Sequence, residues 1–211
     1  MSLDSYTNLK TELADWSHRS DLTSYLDTFI DLTEQMFKHE PRSPDDPDIG
    51  GVRVTITRAT GTLSTSNAYI SKPSDYISAY SFDLTGTDGG QLVYKSPDLL
   101  PALFREGSGK PRYWTIGDVI SFDILPDSAY AYELAYWNSV PALGAGQATN
   151  TILTSYPMCY LAGCLHHLFE FVQDSERSAI WLARYKAYAS AASRSFHEGR
   201  FSQGAIQATA A

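Results

Sequence analysis

The chain is poor in cysteine: Cys159 and Cys164 are the only two in 211 residues. Five positions apart on one helix, they would point roughly 140° apart and could not pair. No disulfide framework exists, so nothing demands an oxidising compartment. Long apolar runs are missing too, and no stretch approaches the ~20 residues of a membrane-spanning helix. The start, Met1-Ser2-Leu3-Asp4, has no basic residue and no apolar run, so no signal peptide is expected. Charge is sparse at 19%, and positive charge sparser, with 16 Lys and Arg against 24 Asp and Glu. The net charge of −8 argues against a dedicated DNA or RNA binder, which would present a basic face. It leaves room for a protein that DNA slides past without sticking. Enzyme signatures are equally scarce. There is no Gly-x-Ser-x-Gly elbow, no phosphate loop and no His-Glu-x-x-His. The Gly-rich "GTDGGQ" and "REGSGK" sit in β-turn contexts, not between a strand and a helix. No cofactor is expected.

What is present is enough for a core: 43% apolar residues, with 13% aromatics and 14 tyrosines. Surplus Tyr suits buried contacts with one polar end, protein–protein interfaces included. Residues 5–18 read as a short helix. Asp21 can cap a second, whose Leu22, Tyr25, Leu26, Phe29, Ile30, Met36 and Phe37 keep helical spacing until Pro41. "RSPDDPDIG" (42–50) reads as an acidic connector. It lacks the Asp-x-Asp-x-Asp-Gly register of a calcium loop. From 51 onward the period changes to two. "GVRVTITR", "AYIS", "YISAYSFDL", "QLVYK", "YWTIG", "VISFDIL" and "AYAYELAYW" read as strands. "TDGG" and Ile116-Gly117-Asp118 read as hairpin turns, and a short helix interrupts over 97–105. In the last strand Tyr130, Tyr132, Leu134 and Tyr136 form one face, and Ala129, Ala131, Glu133 and Ala135 the other. Helices return after 149. Thr154 or Ser155 can cap one running to about Gln173, with Pro157 in its first turn. Asp174 or Ser175 can cap another running to about His197, with Glu176 at its positive end. "FSQGAIQATAA" closes the chain as a small, uncharged, flexible tail.

The expected fold is therefore α+β. Two N-terminal helices (1–41) and two C-terminal helices (150–199) form a helical core. An antiparallel β-subdomain (42–149) is inserted between them, and a flexible tail (200–211) follows.

The densest cluster of candidate ligands is "CYLAGCLHHLFE", Cys159–Glu170. On a helical wheel, Met158, Leu161, Ala162, Leu165, Leu168, Phe169 and Val172 form one stripe. Tyr160, Cys164 and Phe171 form a second flank. The remaining strip holds Cys159, Gly163, His166, His167 and Glu170. Cys159 and His166 lie about 10 Å apart along the axis and cannot share one ion. His166 and Glu170, at i and i+4, could share one only with a third ligand from elsewhere. No metal site is assigned. The cysteines read as small core residues, His166–Glu170 as a helical pair, and His167 as facing a neighbouring element. Two apolar flanks need two covers, so the β-segment or another chain is expected over the second. A carboxylate pair such as Asp118 and Asp123 could serve glycoside hydrolysis only at a set separation, which sequence does not show. No catalytic residue is assigned.

Ordered landmarks along the chain resemble the head-to-tail adaptor proteins of tailed, chiefly short-tailed, bacteriophages. They are "DWSHRSDL" (15–22), "FIDLTE" (29–34), "KPSDYIS" (72–78), "PRYWTIGDVISFDILPDSAYAYELAYWNSVPAL" (111–143), "NTILTSYPMCYLAGCL" (150–165) and "DSERSAIW" (174–181). The resemblance implies a structural virion protein, not an enzyme. Typically twelve such subunits form a ring below the portal, extend the DNA channel and offer a platform to the tail nozzle and fibres. It places the protein at the head–tail junction of the virion, assembled in the host cytoplasm, with no membrane partner. It also implies that the C-terminal tail, here Arg200–Ala211, grips the portal protein, with Arg200, Phe201, Gln203 and Ile206 as the expected contacts. Residues 176–200 carry five basic and two acidic side chains within an acidic chain. An acidic channel would let genomic DNA pass without sequence-specific binding. Alternatives are a tail-completion or fibre-attachment protein, or a carboxylate- or metal-dependent cell-wall hydrolase.

Overall fold

Ser5 begins the first helix: its backbone is extended and its hydroxyl accepts from Asn8 N–H. The structure is a computed structural model describing residues 3–38, 51–87 and 89–207, those beyond 195 as backbone. The connector expected to be acidic and solvated, 42–50, lies outside the described residues. Helix α1 (Tyr6–Ser17) ends at His18, whose left-handed backbone (φ 53°) lets its N–H reach Ala14 and Asp15 carbonyls. A single 3-10 turn (Thr23–Tyr25) then leads into α2 (Leu26–Lys38). Asp21 does not cap it. Its carboxylate accepts two bonds from the Arg19 guanidinium, both at 2.7 Å. The spacing argument for α2 holds at Leu22, Leu26, Phe29, Ile30 and Phe37, which are buried, whereas Tyr25 is exposed.

The chain divides into two compact units, residues 1–54 with 139–211, and residues 55–138. Val52 and Val54 belong to the first. They were expected on a strand, but both are buried in the helical core. Val52 N–H donates to Phe37 O and Arg53 N–H to Ser193 Oγ, so among the described residues this stretch has no strand partner.

In the second unit, β1 (Ile56–Thr62), β8 (Ala131–Asn138), β3 (Tyr76–Leu84) and β4 (Gly90–Gln91) form one antiparallel sheet in that order. β2 (Tyr69–Ser71), β7 (Val119–Phe122), β6 (Tyr113–Ile116) and β5 (Val93–Tyr94) form the other, in which β5–β6 is parallel. Both expected turns are present: Gly86 takes φ 101° between β3 and β4, and Gly117-Asp118 joins β6 to β7. Leu92 links β4 and β5, its N–H donating to Phe82 O, so one extended segment passes from one sheet to the other. The short helix α3 (Leu100–Leu103) follows. Phe82 packs edge-on against Phe122 and tilted against Trp114, joining the two sheets in one core. The aromatic face of β8 enters that core through Leu134, Tyr136 and Tyr132. On its other face Glu133 pairs with Arg58 at 2.9 Å.

Back in the first unit, α4 (Thr151–Ser155), α5 (Pro157–Phe171) and α6 (Ser175–Gln207) follow. Neither Thr154 nor Ser155 caps α5. Asn150 caps the separate turn α4 by accepting from Leu153 N–H at 3.0 Å. Asp174 does cap α6, accepting from Arg177 N–H at 3.0 Å. The α6 backbone stays helical to Gln207, past the expected end near His197 and through part of the expected tail. No proline interrupts the run, and Gly199 and Gly204 each cost only about 1 kcal/mol in a helix.

Candidate functional site

Helix α5 lies at the centre of the helical unit, in contact with α1, α2, α4 and α6. Every residue from Cys159 to Leu165 is buried, as are Leu168 and Phe169. The second apolar flank was expected to need the β-segment or another chain. Tyr160 and Cys164 on it are instead covered by the unit's own helices: Phe37 meets Tyr160 edge-on and Thr33 Oγ1 lies 3.4 Å from Cys164 Sγ. Only Phe171 stays half exposed, against Tyr25 and Phe29. Both thiols are free and buried, and burial pushes each up to about 12. They are inert core residues rather than nucleophiles.

Below this buried stretch, α5 turns a polar edge outward. The ligand atoms of His166, His167 and Glu170 lie within 4.8 Å of one another. The third ligand that His166 and Glu170 required comes from the adjacent position, His167. Adjacent positions diverge by about 100° around a helix, yet the two ring centroids lie 4.8 Å apart. Burial, then the neighbouring charge of His166, lowers His167 below its ordinary value, against the opposing pull of Glu170.

A second polar cluster is internal. Glu34, one turn after Ile30 and one before Phe37, is a charged residue on the inward side of α2 and is buried. Its Oε1 accepts from Leu143 N–H at 2.7 Å and Tyr160 Oη at 2.9 Å. Asn150 Nδ2 donates to Tyr160 Oη at 2.7 Å and to Pro141 O at 2.8 Å. One chain of bonds thus ties α2, α5 and the 141–150 segment together. Burial raises the Glu34 carboxyl above its ordinary 4.5, more than the bonds from Leu143 and Tyr160 lower it. With the folded value raised, proton binding favours the native state. That stabilisation is full below 4.5 and is lost as pH rises through the folded value. Glu34→Gln should therefore gain stability relative to the parent as pH rises across that window, measured by denaturant unfolding at several pH values. Parallel profiles would refute this.

The carboxylate pair proposed for glycoside chemistry does not survive. Asp123 is fully buried and its oxygens are occupied. Arg112 and Tyr113 N–H donate to Oδ1 at 2.9 and 3.0 Å. Arg105 Nε and Nη2 reach Oδ2 at 3.0 and 2.9 Å. Asp118 lies in the exposed β6–β7 turn, on the rim of an open apolar groove of about 730 Å³ lined by Tyr69, Leu100, Phe104 and Val119. Thr115 also lines this groove, and its Oγ1 is buried without a hydrogen-bond partner among the described residues.

Arg200, Phe201, Gln203 and Ile206 fall on the last turns of α6 as backbone positions, and their side chains lie outside the described residues. Among the described residues no helix is long and apolar enough to cross a membrane.

The buried carboxylates serve backbone amides, a phenol and a guanidinium, while Trp16, Tyr25, Phe171 and Ile180 stand about half exposed on the helical unit. A profile of the SU10 adaptor protein family matches residues 4–206, and the chain belongs to that family. Membership points to a structural adaptor of a bacteriophage particle, not an enzyme, and to interaction with other head and tail proteins. No curated protein matches the chain.

Proposed function

We propose that this protein is the head-to-tail adaptor of its phage. Subunits form a ring below the portal, twelve by the usual symmetry, that extends the DNA channel and carries the tail nozzle and fibres. The observation that carries this reading is the family match across 4–206, which takes in both compact units. The half-exposed aromatics of the helical unit support it, because such side chains gain most when a neighbouring subunit covers them. The length of α6 supports a role in docking. Its 33 residues span about 50 Å, whereas the 15 of α5 span about 22 Å. Its last turns, with Arg200, Phe201, Gln203 and Ile206, form the portal-binding arm. A net charge of −8 suits a channel that DNA crosses without binding.

The test is a mass measurement on the recombinant protein, alone and with portal. Assembly into a closed ring, alone or on the portal, is expected. Removing residues 200–211 should leave the circular dichroism spectrum of the helical unit largely intact and abolish portal docking. Docking at unchanged affinity would remove the arm from this assignment. A protein that stays monomeric with portal present would remove the ring.

A further inference from the structure

We propose that His166, His167 and Glu170 form a binding site for a divalent transition-metal ion of the zinc class. This goes beyond the adaptor reading and does not depend on it. The argument rests on how the two imidazoles are held. His166 Nδ1 engages Ser178 on α6, 2.9 Å from Oγ and 3.2 Å from the backbone O. With its proton on Nδ1, the ring bonds a Ser178 oxygen and keeps the Nε2 lone pair free. His167 Nε2 lies 3.0 Å from Met36 Sδ on α2. With its proton on Nε2, this ring bonds the thioether, which only accepts, and keeps the Nδ1 lone pair free. Each ring thus has one nitrogen fastened to a neighbouring helix and the other unprotonated.

Both unprotonated nitrogens face the same atom. His166 Nε2 is 3.9 Å and His167 Nδ1 3.6 Å from Glu170 Oε2. These gaps are long for hydrogen bonds. Around tetrahedral zinc, with bonds of ~2.0–2.2 Å, neighbouring ligand atoms stand about 3.3 Å apart. The three ligand atoms lie within 4.8 Å of one another, so closing round an ion takes up to about 1.5 Å, shared between Glu170, whose side chain is 66% exposed, and rotation of the two rings. The histidines, at 13% and 14% exposed, are confined to small rotations about their partners on α6 and α2. That is the arrangement of a site partly built in advance: imidazoles tethered by a second layer of partners, and one mobile carboxylate. Two imidazoles and a carboxylate suit zinc, and the solvent side leaves its remaining positions to water.

The full-length protein, stripped with chelator and returned to neutral buffer, is titrated with Zn²⁺ by calorimetry and with Co²⁺ by visible absorption. One equivalent should bind, and Co²⁺ should give the intense d–d bands of a low-coordinate site. Zn²⁺ should raise the melting temperature. Glu170→Gln, at an exposed position that does not threaten folding, should weaken binding by at least about tenfold and abolish the cobalt bands and the thermal shift. Ser178→Ala should weaken zinc by about 10–100-fold while the cobalt bands persist. The proposal is overturned if the parent binds no stoichiometric metal. It is equally overturned if Glu170→Gln binds zinc as tightly as the parent, since the ion would then sit elsewhere.

Discussion

Asp123→Ala should destabilise the strand-rich unit by about 2–5 kcal/mol, chiefly the cost of leaving two backbone donors without their acceptor. The carboxylate is fully buried and takes four donors: two backbone N–H groups and two from the Arg105 guanidinium. Alanine leaves the Arg112 and Tyr113 amides without their acceptor and the Arg105 charge without its counter-ion. The two amides lie at the start of β6, so the loss falls where that strand begins. Asp123→Asn should fall between, since its Oδ1 can still accept from both amides while its NH₂ meets the guanidinium donor to donor. Asp118→Ala, in the exposed turn, should stay within about 0.5 kcal/mol of the parent. Denaturant unfolding gives the energies, and hydrogen exchange of the Arg112 and Tyr113 amides gives the location. Unchanged protection of those amides in Asp123→Ala would contradict the assignment. Equal losses at 118 and 123 would contradict the distinction between a structural and an idle carboxylate.

Gly163→Ala should destabilise the helical unit even though alanine is the better helix former. A Cβ at 163 would stand 2.5 Å from Thr33 Cγ2 and 3.1 Å from its Oγ1. Thr33 cannot swing aside cheaply. It is fully buried, β-branched, and its hydroxyl donates to Phe29 O at 2.8 Å. The gain in helix propensity is about 1 kcal/mol, while overpacking a dense core typically costs about 1–3 kcal/mol. The net effect should be a loss, and Gly163→Val should lose more. Thr33→Ser removes the offending methyl. The double variant Gly163→Ala/Thr33→Ser should therefore recover most of the loss, a non-additivity that denaturant unfolding of the four proteins in the cycle would measure. Additive losses would mean that α2 and α5 do not meet at this point.

Both predictions turn on residues whose role could not be read in the chain. Much else could. The alternation of "YISAYSFDL" marks β3 at its observed ends, Tyr76 and Leu84. Gly117-Asp118 marks the β6–β7 turn, and Asp174 marks the start of α6. The spacing of Leu26, Phe29, Ile30 and Phe37 marks the buried face of α2. These features depend on neighbours within a few positions: side-chain period, turn chemistry, a cap three residues away. Val52 and Val54 show the limit. Their alternation is that of a strand, but among the described residues the partner that would have made it one is absent, and Phe37 and Ser193 take their backbone bonds instead.

The sequence by itself determined the two local periods, the positions of most elements, and the ordered motifs that resemble phage adaptors. Only the tertiary structure decided what each polar residue does. Thr33 and Gly163 are 130 positions apart, and Glu34 and Tyr160 are 126 apart. Whether Glu34 faces water or a phenol, or whether Asp123 is free or held by Arg105, depends on which distant segment arrives beside it. The same holds for the stretch "CYLAGCLHHLFE". Its cysteines were legible as core from their apolar neighbours. The pairing of His166 with Glu170 was legible from its i,i+4 spacing; the approach of His167 to the same carboxylate was not, because its ring is held by Met36 on α2, 131 positions away.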